Sequence, residues 1–392
     1  MSAVVIVEAK RTPIGSFGGK LSSFSAPDLG ASVIYEVIKK SGIKPDDVQE
    51  VVMGNVLSAG IGQAPARQAA LKAGLLDTTP ATTVNKVCSS GMKAIMIAAD
   101  QIELGQNDIM VAGGMESMSN VPYYLRKHRF GSKLGHSKVE DGILIDGLWD
   151  VYNDFHMGSA GEICARECNI SREQQDEFAT ESYRRAIAAH KARYFKNEIV
   201  AMKVTDRKGT VTKMTMDEEL ERVNFEKIPQ LKPVFDKGGT ITAANASSIN
   251  DGAAAVLLMS EKKAKELDLK PIARIRSRAS AAKAPEWFTT APSDAIPKAL
   301  KSAGVAKSDV DLFEINEAFS VVSLANNKLL ELDPEKVNIY GGAVSIGHPI
   351  GCSGARIVVT LLNALKRTNG SIGCAGICNG GGGASALVVE MI

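Results

Sequence analysis

The sequence predicts an α/β fold in which two layered halves, copies of one unit, stack together, the first carrying an insert. Three observations predict it. The segments Ile34 to Val48 and Ile296 to Val310 share one pattern around Gly42 and Gly304, 262 residues apart. Ser90-Gly91-Met92-Lys93 and Ala112-Gly113 match Ser353-Gly354-Ala355-Arg356 and Ala375-Gly376, both at a separation of 263. A separation that persists through matching contexts marks an internal duplication. Second, each half alternates apolar strand-like runs with amphipathic segments of helical period, which predicts mostly parallel sheets covered by helices. Third, Gly252 to Leu258 resembles Gly383 to Val389 at a separation of only 131. About 130 residues are therefore inserted into the first half between Gly114 and Asp251.

In chain order, Val4 to Val7 is a buried strand, Gly15 to Gly19 a turn, and Pro27 to Lys40 a helix. Thr82, Thr83 and Val84 are β-branched and suit a strand, after which Met92, Ile95, Met96, Ala99 and Ile102 recur at helical spacing up to Gly105. Cys88 sits at that switch. A thiol at a helix start, among unpaired N–H groups, is expected to ionise below the ordinary thiol range; the alternative is a small buried apolar residue. Within the insert, Val121 to Ile143 lacks periodicity, Arg172 to Arg193 is a charged amphipathic helix, and Met202 to Met216 alternates like an exposed strand. The insert is expected to cover a substrate, or to serve assembly alone.

The duplication shows what stands opposite each position of the first half. Met115 corresponds to Cys378, a second thiol at the end of the strand Ile372 to Cys378. Asn379-Gly380-Gly381-Gly382-Gly383 follows, a run without Cβ atoms that lets a ligand reach backbone N–H groups. A phosphate loop is excluded there, because Ala384 to Val389 reads as a strand and not as the helix such a loop requires. Gly351 is the counterpart of Cys88, so His348, fixed between Gly347 and Pro349, lies on the turn ahead of the equivalent helix. Asn316-Glu317-Ala318-Phe319 follows the strand Val310 to Ile315 and offers a neutral amide able to hold a water. His348 is either structural or the partner of the two thiols.

The 392 residues, 45% hydrophobic, suffice for a large core in two or three domains. A net charge of +2, from 46 basic and 44 acidic residues, gives no field for nucleic acid or a membrane surface. Partners are expected to be small molecules and other copies of the chain. Six cysteines without a Cys-x-x-Cys pair read as reduced thiols. Cys164, Cys168 and Cys374 are placed in the core and Cys352 beside the pocket; their spacing does not suit zinc. Met1-Ser2-Ala3 leads into an apolar strand, and no segment here reads as a signal, transit or membrane-spanning sequence; a removed transit peptide would leave no trace, so the organelle stays open at this point.

Asn85-Lys86-Val87-Cys88-Ser89-Ser90-Gly91, Asn316-Glu317-Ala318-Phe319, Gly347-His348-Pro349 and Cys378-Asn379-Gly380-Gly381-Gly382-Gly383 together resemble the thiolase family, from Val4 to the C-terminus and nearest its biosynthetic type. The resemblance implies the thiolase fold, a duplicated five-layered α-β-α-β-α arrangement with an inserted loop domain. Its division would be 1–117 plus 249–270, 118–248, and 271–392. It implies an acetyl-CoA C-acetyltransferase that condenses two acetyl-CoA to acetoacetyl-CoA and coenzyme A, with thiolysis in reverse. Cys88 would carry the acetyl group, Cys378 take the α-proton, and His348 and Asn316 serve the thiolate and the enolate. The N–H groups of Cys88 and Gly380 would hold the oxyanion, which would explain the glycine.

By motif position the resemblance assigns coenzyme A to Leu148, His156, Met157, Tyr183, Arg222 and Val223, together with Asn224, Lys227, Phe235, Ser247 and Phe319. Tyr183, Ala243, Ala244, Ala246 and Val344 match the positions at which potassium-activated mitochondrial thiolases hold the ion. No cofactor is implied beyond the thioesters and that potassium. The assembly implied is a homotetramer, a dimer of dimers, and the compartment the mitochondrial matrix, with the cytoplasm as alternative. Phe288 matches the mitochondrial group, whereas Thr289 replaces its proline, which bears on 2-methyl-branched substrates. Rival readings are a degradative 3-ketoacyl-CoA thiolase of broader chain length, a cysteine hydrolase using Cys88 and His348, and a non-catalytic acyl-CoA binder. A decarboxylating ketoacyl synthase would want a second histidine where Cys378 stands.

Overall fold

The computed structural model describes residues 2–206 and 208–392. Nine of the ten strands of its main sheet, which falls into two halves, are β1 (Val4–Arg11), β2 (Glu50–Gly54), β3 (Ala81–Val84), β4 (Ile109–Ser117), β5 (Asn250–Ser260), β6 (Ala273–Ala282), β7 (Leu312–Ile315), β8 (Ile372–Asn379) and β9 (Gly383–Met391); the tenth, Gly15–Ser16, pairs with β5. The principal helices are α1 (Ala26–Ser41), α2 (Pro65–Lys72), α3 (Ser90–Glu103), α4 (Met157–Glu167), α5 (Arg172–Lys191), α6 (Pro292–Ala303), α7 (Ser320–Leu330) and α8 (Ile350–Thr368). Local chemistry sets their ends. Ser25 and Asp28 exchange hydrogen bonds in a capping box that starts α1. The paired helices α1 and α6 stop at Gly42 (φ 79°) and Gly304 (φ 66°), where the left-handed conformation favours glycine.

The first half orders its strands β3-β2-β4-β5-β1 and the second β7-β8-β9-β6. The two join edge to edge through only Val5↔Arg274 and Ile6↔Ala273. The fifth strand of the second half is reduced to a single parallel bridge, Phe313↔Val337.

The sheets are mixed, not mostly parallel. Only β2 with β3, β2 with β4, and β7 with β8 run parallel. The cause is a hairpin: β8 and β9 are joined by a short glycine turn and must pair antiparallel. β4 and β5 are the same hairpin opened by the insert, and they keep its register from Ser117↔Asp251 to Ile109↔Met259.

Three apolar cores separate the layers. Leu29, Val33 and Ile34 of α1 with Ala69 of α2 cover the outside of the first sheet. Ile296 and Leu300 of α6 cover the outside of the second. Between the sheets, Met92 and Ile95 of α3 meet Ile357, Val358 and Leu361 of α8. Helices thus alternate with sheets in five layers.

The two central helices start almost in contact because of paired glycines. A Cβ on Gly91 would lie 2.8 Å from the Ala355 nitrogen, and one on its counterpart Gly354 would lie 2.5 Å from the Met92 nitrogen. This reciprocal contact is an approximate two-fold axis, and it brings the Cys88 turn against the His348 turn. Gly354→Ala must part the helices. We expect a loss of about 1–3 kcal/mol, typical of overpacking, read as a lower midpoint in urea denaturation; an unchanged midpoint would remove this account of the crossing.

The insert is anchored by Arg11, buried between Glu198 (2.6 Å) and Asp217 (2.7 Å). Met202–Thr205 and Val211–Met214, read as one exposed strand, are two strands paired in a hairpin. Among the described residues no helix is long and apolar enough to cross a membrane.

Candidate active site

Val87 holds φ at 46°, a left-handed conformation that is strained for a β-branched residue. The strain lifts Cys88 onto a turn between β3 and α3, where the residue as a whole is half-buried and its thiol is the covered part. The first N–H groups of the helix do not face it: Ser89 and Ser90 donate back to the carbonyls of Lys86 (3.1 Å) and Val87 (3.0 Å). The expected drop in the thiol pKa does not follow. Burial pushes Cys88 up to about 12, opposed by the N–H groups of Gly380 and of Cys88 itself. The sulfur is therefore held neutral until a base takes its proton.

That base is in reach of the same cavity. His348 is buried, its N–H donates to Asn250 Oδ1 (2.8 Å), and its Nδ1 lies 2.6 Å from Ser353 Oγ. With the Ser353 hydroxyl donating to the Pro349 carbonyl (3.0 Å), Nδ1 carries the ring proton and Nε2 keeps a bare lone pair. Nε2 is buried and has no hydrogen-bond partner among the described residues. Burial, and next the charge of Arg356, push the ring down to about 3, so it stands neutral and ready to accept.

Cys378 is fully buried at the end of β8. Its thiol is pushed well above its ordinary value by burial and then by the neighbouring Cys88. Asn316, after β7, has both amide atoms buried and unpartnered among the described residues. Buried polar groups are normally satisfied, so this amide suits a water.

Cys88, His348 and Gly380 line a cavity of about 330 Å³; Cys378 and Asn316 do not line it, although Cys378 is close enough to Cys88 to feel its charge. Gly380 has space for a Cβ, whose nearest neighbours would be Met157 Sδ at 3.4 Å and Val87 Cγ1 at 3.6 Å. Its own packing does not demand glycine; the conformational demand falls on Gly381 (φ 81°) and Gly382 (φ 83°).

Of the residues expected at coenzyme A, Leu148, His156, Met157, Phe235, Ser247 and Phe319 line this cavity. His156 stacks on Phe235 at 4.6 Å, and Phe235 meets the edge of Phe319 at 6.1 Å, giving an apolar wall. Tyr183, Arg222, Val223, Asn224 and Lys227 do not line it. Tyr183 is packed in the central core, whereas Arg222, Asn224 and Lys227 are exposed on one segment. Cys352 is likewise not beside the pocket but fully buried in that core.

Around the positions matched to potassium, the carbonyls of Ala243 and Ala244 accept no hydrogen bond from a described residue. Tyr183 is raised by burial and then by Glu219 and Glu317, so its surroundings are negative. Free oxygens in a negative setting fit a hard cation. Among the described residues no group of three or more His, Cys, Asp or Glu is placed to hold a metal.

Sequence reasoning missed Ser353 and Asn250, which fix His348, and Glu116 beside the cavity wall. The separation of 263 that pairs Met115 with Cys378 also pairs Glu116 with Asn379, a signal available from the start.

Comparison with known proteins follows this geometry. The thiolase N-terminal domain model matches residues 4–262 and the thiolase C-terminal domain model residues 269–391. A probable acetyl-CoA acetyltransferase of Dictyostelium discoideum is 57% identical over 392 residues, 100% of this chain and 95% of that protein. A mitochondrial acetyl-CoA acetyltransferase of Bos taurus is 56% identical over 393 residues, 100% of this chain and 92% of that protein. The crystal structure of an Ascaris suum thiolase in complex with coenzyme A superposes with a TM-score of 0.94 at 46% identity, covering 100% of both chains.

Proposed function

The chain belongs to the thiolase family, and from that premise we infer that it is an acetyl-CoA C-acetyltransferase, joining two acetyl-CoA into acetoacetyl-CoA and coenzyme A, reversibly. The observation that carries the reading is the meeting of Cys88 and the unpartnered His348 Nε2 in one cavity, with Cys378 electrostatically coupled to Cys88.

In acylation His348 Nε2 takes the Cys88 proton and the sulfur attacks the thioester carbonyl. The N–H groups of Cys88 and Gly380 donate to the oxyanion, a contribution worth about 2.7–4 kcal/mol per donor. As the C–S bond to coenzyme A breaks, the neutral Cys378 thiol protonates the departing thiolate. Its high pKa then makes Cys378 a strong base. It takes the α-proton of a second acetyl-CoA, while protonated Nε2 and a water held by Asn316 bind the enolate oxygen. The carbanion attacks acetyl-Cys88, a C–C bond forms, and the Cys88 thiolate leaves and recovers its proton from His348. Splitting one difficult step into two is the gain of the covalent route.

Residues 118–248 act as the loop domain over the substrate. The apolar wall of His156, Phe235 and Phe319 receives the pantetheine arm, and Arg222 and Lys227 the polar head group. Tyr183, Ala243, Ala244, Ala246 and Val344 would hold potassium, which supplies fixed positive charge to the turn preceding Ser247. Large apolar side chains left exposed between 123 and 152, among them Phe130, Leu134 and Tyr152, support assembly as a tetramer; a monomer by light scattering would refute it. The mitochondrial matrix is the compartment of this reading, and fractionation of source cells tests it.

The deciding experiment is steady-state thiolysis of acetoacetyl-CoA, its 2-methyl analogue and 3-ketohexadecanoyl-CoA, each in potassium and in sodium. The small cavity predicts a strong preference for acetoacetyl-CoA, with higher rates in potassium. Equal turnover of the long chain would favour a degradative thiolase, and identical rates in the two salts would remove the cation.

A further inference from the structure

Glu116 is a fully buried carboxyl group at the end of β4 that the reaction does not use; burial pushes it up to about 7, while the N–H groups of Leu57, Val56 and Gly351 favour its ionised form. Its Oε1 accepts from Asn55 Nδ2 (2.7 Å) and Leu57 N–H (3.2 Å), and its Oε2 from Val56 N–H (3.1 Å) and Gly351 N–H (2.9 Å). Its nearest partners are four N–H groups and no cation. The duplication explains this environment. Gly351 is the counterpart of Cys88, so its N–H occupies, in the second half, the place of the N–H that binds the reaction's oxyanion in the first.

We propose that Glu116 is a positioning residue of the acyl-transfer site: it accepts from the Gly351 N–H, the counterpart of the Cys88 N–H, and clamps the 55–57 segment to the turn that carries His348. This rests on the acyl-transfer reading above. The clamp has consequences at both ends. Val56 and Leu57 pack with Ile350, and Ile350 lines the cavity beside His348. Only Pro349 and Ile350 separate Gly351 from His348, whose own backbone N–H is held by Asn250; the turn is thus pinned on both sides of Pro349. The fit is close, since a Cβ on Gly351 would lie 2.6 Å from Glu116 Oε2.

Glu116→Gln keeps the shape but turns an NH₂ toward N–H donors, whichever way the amide faces. Gly351→Ala leaves the carboxylate intact and pushes it away from the other side. Both variants are expected to lower kcat and the single-turnover acetylation of Cys88 by about 10- to 100-fold, as a misplacement near 1 Å does, with KM for acetoacetyl-CoA changed less than threefold. Glu116→Asp, which keeps the charge, is expected to recover part of the loss. Wild-type acetylation is measured alongside. If wild-type Cys88 does not acetylate, the acyl-transfer reading falls and this inference with it. If wild type acetylates while either folded variant, checked by circular dichroism, keeps kcat within twofold, or loses KM and not kcat, Glu116 alone is refuted.

Discussion

Replacing Cys88 with alanine is expected to abolish the acyl-enzyme and to lower turnover by on the order of 10⁴-fold or more. The other groups cannot substitute for it. Cys378 does not line the cavity and is neutral, and His348 Nε2 has no other hydrogen-bond partner whose proton it could take. Incubation with radiolabelled acetyl-CoA, followed by acid precipitation, should leave label on the wild type and none on Cys88→Ala. Label retained on the variant would move the nucleophile elsewhere. Such a result would also revive the reading of Cys88 as a small apolar filler.

Cys378→Ala should separate the two half-reactions. Acylation needs the Cys88 sulfur, the His348 base and the oxyanion donors, all of which survive, and a coenzyme A thiolate can leave without a protein acid. Condensation needs a base at the α-carbon, and a positioned base contributes typically 10²–10⁴-fold. The variant should therefore take up labelled acetyl groups on Cys88 yet form acetoacetyl-CoA at a rate lowered by about that factor. Equal loss in both half-reactions would contradict the division of labour between the thiols.

How much of this could be read from the sequence varied with the kind of physics involved. The doubling was legible because matching residues keep one separation through Gly42/Gly304, Gly91/Gly354 and Met115/Cys378, and that separation alone paired the reactive positions. Helix ends at Gly42 and Gly304 were legible for the same local reason, a left-handed residue after the last turn. Strand direction was not. Alternating strands and helices suggest crossover connections, but the β8–β9 hairpin and its opened twin β4–β5 depend on which strands pair, a long-range property.

The thiol chemistry also needed the third dimension. A helix start suggests an acidic thiol, yet where Ser89 and Ser90 point their N–H groups, and how deeply Cys88 is covered, set the opposite sign. The glycine at 380 seemed to be dictated by a ligand's approach to the backbone. In the fold its neighbours Gly381 and Gly382 carry the conformational need, and a Cβ at 380 would fit in ordinary contact with Met157 and Val87.

One feature of the sheet bears on how such chains diversify. Ser117 and Asp251 are hydrogen-bonded neighbours on adjacent strands, so the insert leaves and re-enters the sheet about 5 Å apart. The insert is nevertheless tied in at two places: Tyr183, Phe195 and Leu220 share the central core with α3 and α8, and Glu198 and Asp217 clamp Arg11. Its stretch 125–139, exposed throughout, can change in length without disturbing the ladder, whereas the stretches that enter the core are bound to change together with the doubled framework.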